Sequence, residues 1–323
     1  MIRYKNPDKT AVGLLLAALT IFIWGITFVN TKALLQDFSA LEILFIRFAL
    51  GYLGLLLLAP RKIRVKRRRH ELLFAGAGIF SATIYQFLEN IAISYTRASN
   101  VSIIVSTAPI FTALTAQFFF KEKHITVRFL IGFIVAVFGI VLVSLNGYSS
   151  LELKPKGDFI ALAAAVSWGF YSLFMSKINM LGYESLPATR RMFFYALLSL
   201  LPFIAAGAFF PGLRDNGLLS VTCSAAVNAA RFSNPINWIN LLFLGFGASA
   251  FCFAAWSIVC RFLGTVHATT GVYLIPVVTI VFAFLFLRES VSLMGATGAV
   301  ITICGLFISE WHHSRPGKST GVN

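Results

Sequence analysis

The sequence predicts an all-α membrane protein of ten transmembrane helices, arranged as two inverted five-helix repeats. Three observations carry that expectation. The chain of 323 residues is 58% hydrophobic and only 12% charged, with a mean hydropathy of +0.82, whereas about a quarter of the residues of a soluble domain are charged. Apolar runs of about 20 residues, enough to cross a hydrocarbon core of ~30 Å, recur along its whole length. The second half of the chain also repeats the first.

The runs lie near 11–31, 39–59, 72–94, 99–120, 125–145, 157–178, 190–210, 237–260, 266–287 and 291–311. Lipid offers no hydrogen-bond partner, so each run must close its own backbone bonds as a helix, and the short alternating segments of a barrel are missing. Arg3, Lys5 and Lys9 precede the first run as they would a secretory signal. That run is too long and no small-x-small site follows it, so it is expected to be retained.

A net charge of +15 would suggest nucleic acid on a soluble chain, but its placement argues otherwise. With the N-terminus inside, 17 of the 27 Lys and Arg fall in inner segments, among them the run "RKIRVKRRRH" over 61–70, and seven fall in outer ones. The bias places both termini in the cytoplasm, and a bacterial inner membrane is the expected location. The basic run reads as a topology determinant, with anionic-lipid binding as the alternative. No nucleic-acid partner is expected. Cys223, Cys252, Cys260 and Cys304 show no ligand spacing, and the five histidines form no H-E-x-x-H. No metal, cofactor or catalytic centre is therefore expected, and without G-x-x-x-x-G-K ATP is not the expected driving force.

The repeat is read from fixed offsets. Gly13, Ala17, Trp24, Gly25 and Arg47 recur 144 residues later as Gly157, Ala161, Trp168, Gly169 and Arg191. Pro109, Lys121 and Glu122 recur 167 residues later as Pro276, Arg288 and Glu289. The repeats are expected over 1–148 and 149–323, with an insertion near 211–235 in the second. Five spans per copy force the copies into opposite orientations. An inverted repeat of this kind suits alternating access, because exchanging the roles of the halves opens one central site to either side.

The paired Trp-Gly dipeptides, "FIRFALGYL", "ENIAISYTRASNVSIIVSTAPIFTALTAQFFFKEK" and "TTGVYLIPVVTIVFAFLFLRES" resemble the EamA family of the drug/metabolite transporters over nearly the whole chain. The resemblance implies cytoplasmic termini and a central cavity lined mostly by spans 1, 3, 4, 6, 8 and 9. It also implies export or uptake of amino acids, other small metabolites or drugs. The expected function is a secondary transporter with a small-molecule substrate, membrane lipids as its surroundings and protons as a candidate coupling ion. Two alternatives stand: a carrier of phosphorylated or nucleotide sugars, and a membrane sensor that binds without moving its ligand.

Residues three and four apart share a helix face, which gives the stripe Ser99, Ser102, Ser106, Pro109 in span 4 and Thr269, Tyr273, Pro276 in span 9. Such stripes serve close helix packing or line a path. As repeat partners, Ser102, Ser106 and Tyr273 are candidates for the cavity, and Pro109 and Pro276, which free a carbonyl one turn earlier, for hinges. Trp24 and Trp168, mid-span, are expected to form an aromatic wall with Tyr171.

Glu89 lies ~8 Å from the outer end of span 3, and Arg47 of span 2 lies at a similar depth. An ion in lipid faces the interior and pairs, so a structural Arg47–Glu89 ion pair is expected. Proton coupling or recognition of a substrate ammonium is the other reading of Glu89. The stripe Gly78, Ala82, Tyr85, Gln86, Glu89 gives span 3 an inward polar face. Glu89 aligns with Trp256 at offset 167, so Tyr85, Glu89 and Trp256 join the cavity candidates. Glu122 and Glu289 read as boundary markers in solvated pairs with Lys121 and Arg288.

Overall fold

The computed structural model describes residues 7–61, 63–120, 126–145, 155–209, 229–289 and 292–310. Cys223, Lys121, Glu122, Arg3, Lys5, Arg315 and Lys318 lie outside the described residues. All regular structure among the described residues is helical, as a chain solvated by hydrocarbon requires.

Among the described residues, seven helices are long and apolar enough to cross a membrane: Asp8–Leu34, Ala40–Leu58, Arg68–Tyr95, Ala98–Phe119, Lys156–Met180, Ser185–Ala205 and Pro235–Leu263. Shorter apolar helices, Val127–Val143, Gly271–Leu287 and Leu293–Ser309, coincide with the fifth, ninth and tenth runs. We refer to these elements in chain order as the first to tenth segments.

Polar contacts fix which segment ends meet. Ser39 opens the second segment with a capping box, in which Glu42 N donates to Ser39 Oγ and Ser39 N to Glu42 Oε2. Glu42 also takes the Arg231 guanidinium at 2.8 Å, and Asp37 accepts from Asn237 Nδ2 at 2.7 Å, joining the start of the second segment to that of the eighth. Lys32, closing the first segment, donates to Ile93 O and Thr96 O at the end of the third. Glu289, after the ninth, accepts from the Ser99 hydroxyl at 2.8 Å and from the amides of Ala98 and Ser99 at the start of the fourth. This carboxylate therefore caps a helix of the other repeat, a role beyond the boundary marker expected of it.

A second set of contacts gathers the remaining ends. Arg190 of the seventh segment donates to Ala59 O and Arg61 O, Lys66 Nζ donates to Leu181 O, and Arg191 pairs with Glu71 at 2.6 Å. The first, third and ninth segments thus finish at the end where the second, fourth and eighth begin. The sixth finishes, and the third and seventh begin, at the end carrying the basic run. Repeat partners such as the first and sixth segments run in opposite directions.

Two departures from regular helix recur in both repeats. The third segment carries a π-helical stretch over Ile79–Gln86 and the eighth over Phe243–Phe251. The fourth segment breaks after Val105 and restarts at Ala108, and the ninth passes through a 3₁₀ turn, Gly271–Leu274, before Ile275. Pro109 and Pro276 are each the second residue of the restarted helix, where a missing N–H costs nothing.

The fifth and tenth segments pack through glycines. A Cβ on Gly132 would lie 2.4 Å from Ser309 N, and one on Gly298 would lie 2.8 Å from Gly139 O. Only hydrogen at these positions lets the backbones come this close.

Candidate functional site

The site is built from side chains that the packing of the segments leaves facing one another. At its centre is a cavity of about 30 Å³, room for a water molecule or two, lined by residues of the first, second, third, fourth, sixth and ninth segments. Its walls are aromatic. The Trp24 and Trp168 rings meet edge to face with centroids 5.5 Å apart, and Tyr85 lies 4.9 Å from Trp168. Trp24 Nε1 donates to Ala248 O in the π-helical stretch of the eighth segment at 3.2 Å. Trp168 lines the cavity, and its Nε1 is buried without a hydrogen-bond partner among the described residues.

The polar groups are Arg47, Gln86 and Glu89, which are 1%, 4% and 2% exposed. Arg47 Nη1 donates to Gln86 Oε1 at 2.6 Å and its Nε to Ser249 Oγ at 3.0 Å. Direct ion pairs join Arg191 to Glu71 and Arg231 to Glu42, but none joins Arg47 to Glu89. The expected direct Arg47–Glu89 pair is therefore replaced: Arg47 is held by two neutral oxygens, and Glu89 lines the cavity beside Tyr85. Both charges still line one cavity. The physical reason is the helical face: Gln86 and Glu89 are three residues apart, and the amide is the nearer acceptor for a guanidinium already anchored on Ser249.

Of the other residues expected at the cavity, Trp24, Tyr85, Ser102, Ser106 and Trp168 line it. The two serine hydroxyls turn back to Ser99 O and Ile103 O, which leaves them as acceptors towards the cavity. Tyr171 and Trp256 lie one layer behind, with ring centroids 4.8 Å from Trp168 and 5.1 Å from Trp24 respectively. Tyr273 faces away, packed in a separate cluster with Ile110, Ala113, Phe129, Ala136 and Leu306. The 3₁₀ turn that contains it rotates its face relative to the regular helix that the stripe assumed. Sequence reasoning missed Thr27, Phe28 and Ser249. Ser249 was within reach, since the third-segment stripe Gly78, Ala82, Tyr85, Glu89 maps at offset 167 onto Gly245, Ser249, Cys252, Trp256.

An arginine and a glutamate facing one aromatic chamber from different helices, with broken helices beside them, is an arrangement suited to a small charged solute. The model of the EamA-like transporter family matches this chain twice, over residues 11–145 and 155–311. The chain belongs to the EamA-like transporter family. A protein of Archaeoglobus fulgidus named "Uncharacterized transporter" is 27% identical over 91% of this chain and 96% of its own length. An Escherichia coli protein named "Probable amino-acid metabolite efflux pump" is 24% identical, covering 91% and 93%. One from Streptantibioticus cattleyicolor, named "Probable terminal-alkyne amino-acid exporter", is 24% identical, covering 90% of each. A solved crystal structure superposes with a TM-score of 0.62 over 93% of this chain and 97% of its own, at 16% identity, a likeness of fold. In this EamA-like transporter, the doubled match and the opposed segments describe one architecture.

Proposed function

We propose that this transporter moves a small zwitterionic metabolite of the amino-acid class out of a bacterial cell by alternating access. One observation carries the reading: Arg47 and Glu89 line the same cavity without pairing with each other. Arg47 is oriented by neutral oxygens and stands across the cavity from Glu89 with no direct ion pair between them. A carboxylate on the solute complements the guanidinium, an ammonium complements Glu89, and the indole N–H of Trp168 offers a donor. A charge-assisted hydrogen bond is roughly twice as strong as a neutral one, so two of them select a zwitterion over a neutral solute. The names of the amino-acid exporters quoted above support both the class and the direction.

The cavity is too small for an amino acid, so binding requires the walls to part. The breaks before Pro109 and Pro276 are the hinges of this reading, and Glu89 is the group through which a proton would couple. On this reading both termini are cytoplasmic, as the positive-inside bias of the sequence suggests. A sugar-phosphate carrier would need more cationic charge at the centre, yet Arg191, the repeat partner of Arg47, is turned to Glu71 at the basic end.

The test is counterflow of labelled amino acids in proteoliposomes. Accelerated exchange supports the reading, and saturable binding without exchange would make the protein a receptor. Reporter fusions after Arg69 and Lys318 are expected to report the cytoplasm and one after Asn216 the outer side. A cytoplasmic signal at Asn216 would reverse the topology.

A further inference from the structure

A second cavity lies outside the transport site. It is a groove of about 320 Å³ between the second and seventh segments, at the end that carries the basic run. Its two ends differ in chemistry. At the polar end stands Arg190, only 7% exposed, whose guanidinium is spread against Ala59 O and Arg61 O. Those partners are carbonyls, so the positive charge is oriented but not neutralised. Arg191 beside it is tied to Glu71 in a two-point ion pair, which leaves Arg190, among the described residues lining the groove, as the cation without a carboxylate partner. At the apolar end the walls are Tyr52, Leu56 and Phe194.

Leu56 and Phe194 are each 40% exposed, and the neighbouring turns continue with Leu53 at 47%, Leu198 at 49% and Leu201 at 49%. On helices of this hydropathy such side chains face lipid. The groove therefore runs from a fixed guanidinium at the membrane surface into the hydrocarbon. An occupant must carry a negative head and an apolar tail. A soluble anion would leave the apolar end uncovered, and a neutral lipid would leave Arg190 unanswered.

We propose that this groove is a binding site for an anionic phospholipid, with the phosphate on Arg190 and an acyl chain along Leu56 and Phe194. The positive potential of the adjoining 61–70 run draws the same class of lipid to this end. The site is independent of the transport reading, since it shares no lining residue with the central cavity.

The test is native mass spectrometry of the purified protein exchanged into equal amounts of phosphatidylglycerol and phosphatidylcholine. We expect phosphatidylglycerol adducts to be enriched by at least about fivefold, the selectivity of a single engaged basic side chain. Arg190→Gln should abolish the enrichment. Because that change also unties the seventh segment from Ala59 and Arg61, Leu56→Trp, which fills the groove and leaves those bonds, should abolish it as well. Absence of enrichment in the wild type overturns the site, and so does enrichment unchanged in Leu56→Trp. Loss in Leu56→Trp with full retention in a folded Arg190→Gln also overturns it, because the phosphate then has no role there. Full displacement by tail-free glycerophosphoglycerol at equal concentration would make the ligand a soluble phosphate and reject the lipid.

Discussion

Arg47 and Gln86 are joined at 2.6 Å across the second and third segments, and Gln86 stands three residues before Glu89 on the same helix. The amide carries the structural task that a carboxylate would otherwise perform. It gives a buried guanidinium an acceptor without removing its charge, and it leaves Glu89 uncommitted to Arg47.

Gln86→Leu and Glu89→Gln are therefore expected to behave differently. The first deprives a buried cation of a hydrogen bond, a loss of about 1.5–3 kcal/mol, and should lower the detergent melting temperature. The second keeps both bonds of Arg47 and should melt near the wild type, but with amino-acid counterflow reduced by about tenfold or more, the equivalent of ~1.4 kcal/mol of substrate binding. A melting temperature that falls in Glu89→Gln and not in Gln86→Leu would restore the direct ion pair as the structural element.

Cysteine labelling separates the two faces of the restarted helices. In a background without native thiols, Ser102→Cys and Ser106→Cys should react with a small water-soluble reagent and be protected by substrate. Tyr273→Cys should stay unreactive, since its side chain is fully buried in the outer cluster. Rapid, substrate-protected labelling at Tyr273→Cys would place it on the path.

The Glu289 cap holds the ends of the fourth and ninth segments together on the side opposite the basic run. Losing a cap costs about 0.5–2 kcal/mol, which shifts an open-to-closed ratio by roughly two- to thirtyfold. Glu289→Ala is thus expected to raise the labelling rate of a Ser106→Cys probe by an impermeant reagent added from that side. No change in rate would show that the cap does not contribute to closure.

The fifth and tenth segments give a steric test. Gly132→Ala places a methyl 2.4 Å from Ser309 N, whereas Gly247→Ala meets only the Phe243 ring at 3.7 Å. Overpacking typically costs about 1–3 kcal/mol, so the first variant should melt lower and the second close to the wild type. Equal melting temperatures would mean that the two segments can move apart at no cost.

Much of the architecture is legible in the residues themselves. An apolar run of about 20 residues must become a helix in lipid whatever its neighbours are. An odd number of such runs per copy forces opposed orientations. The position of Trp24 and Trp168 on the cavity wall, and of Glu89 at the cavity, follows from the same logic of depth and face. Repeat equivalence, however, did not transfer function. Arg47 is buried at the centre, while its partner Arg191 is paired at the basic end; Ser106 lines the cavity, while its partner Tyr273 faces the opposite way.

The physical reason is that sequence offset preserves height along a helix but not rotation about it. Adding one residue to a turn rotates everything beyond it by about 100°, and both repeats contain π-helical and broken stretches at the level of the site. That Ser249 supports Arg47, that Glu289 caps the opposite repeat, and that a lipid-facing groove opens beside Arg190 depend on contacts between residues more than 100 positions apart. The sequence alone determined the helices, their number of runs and their opposed directions, because those depend on each segment's exchange with lipid. Only the tertiary structure decided which charges meet, because that depends on the rotation at which the segments lock together.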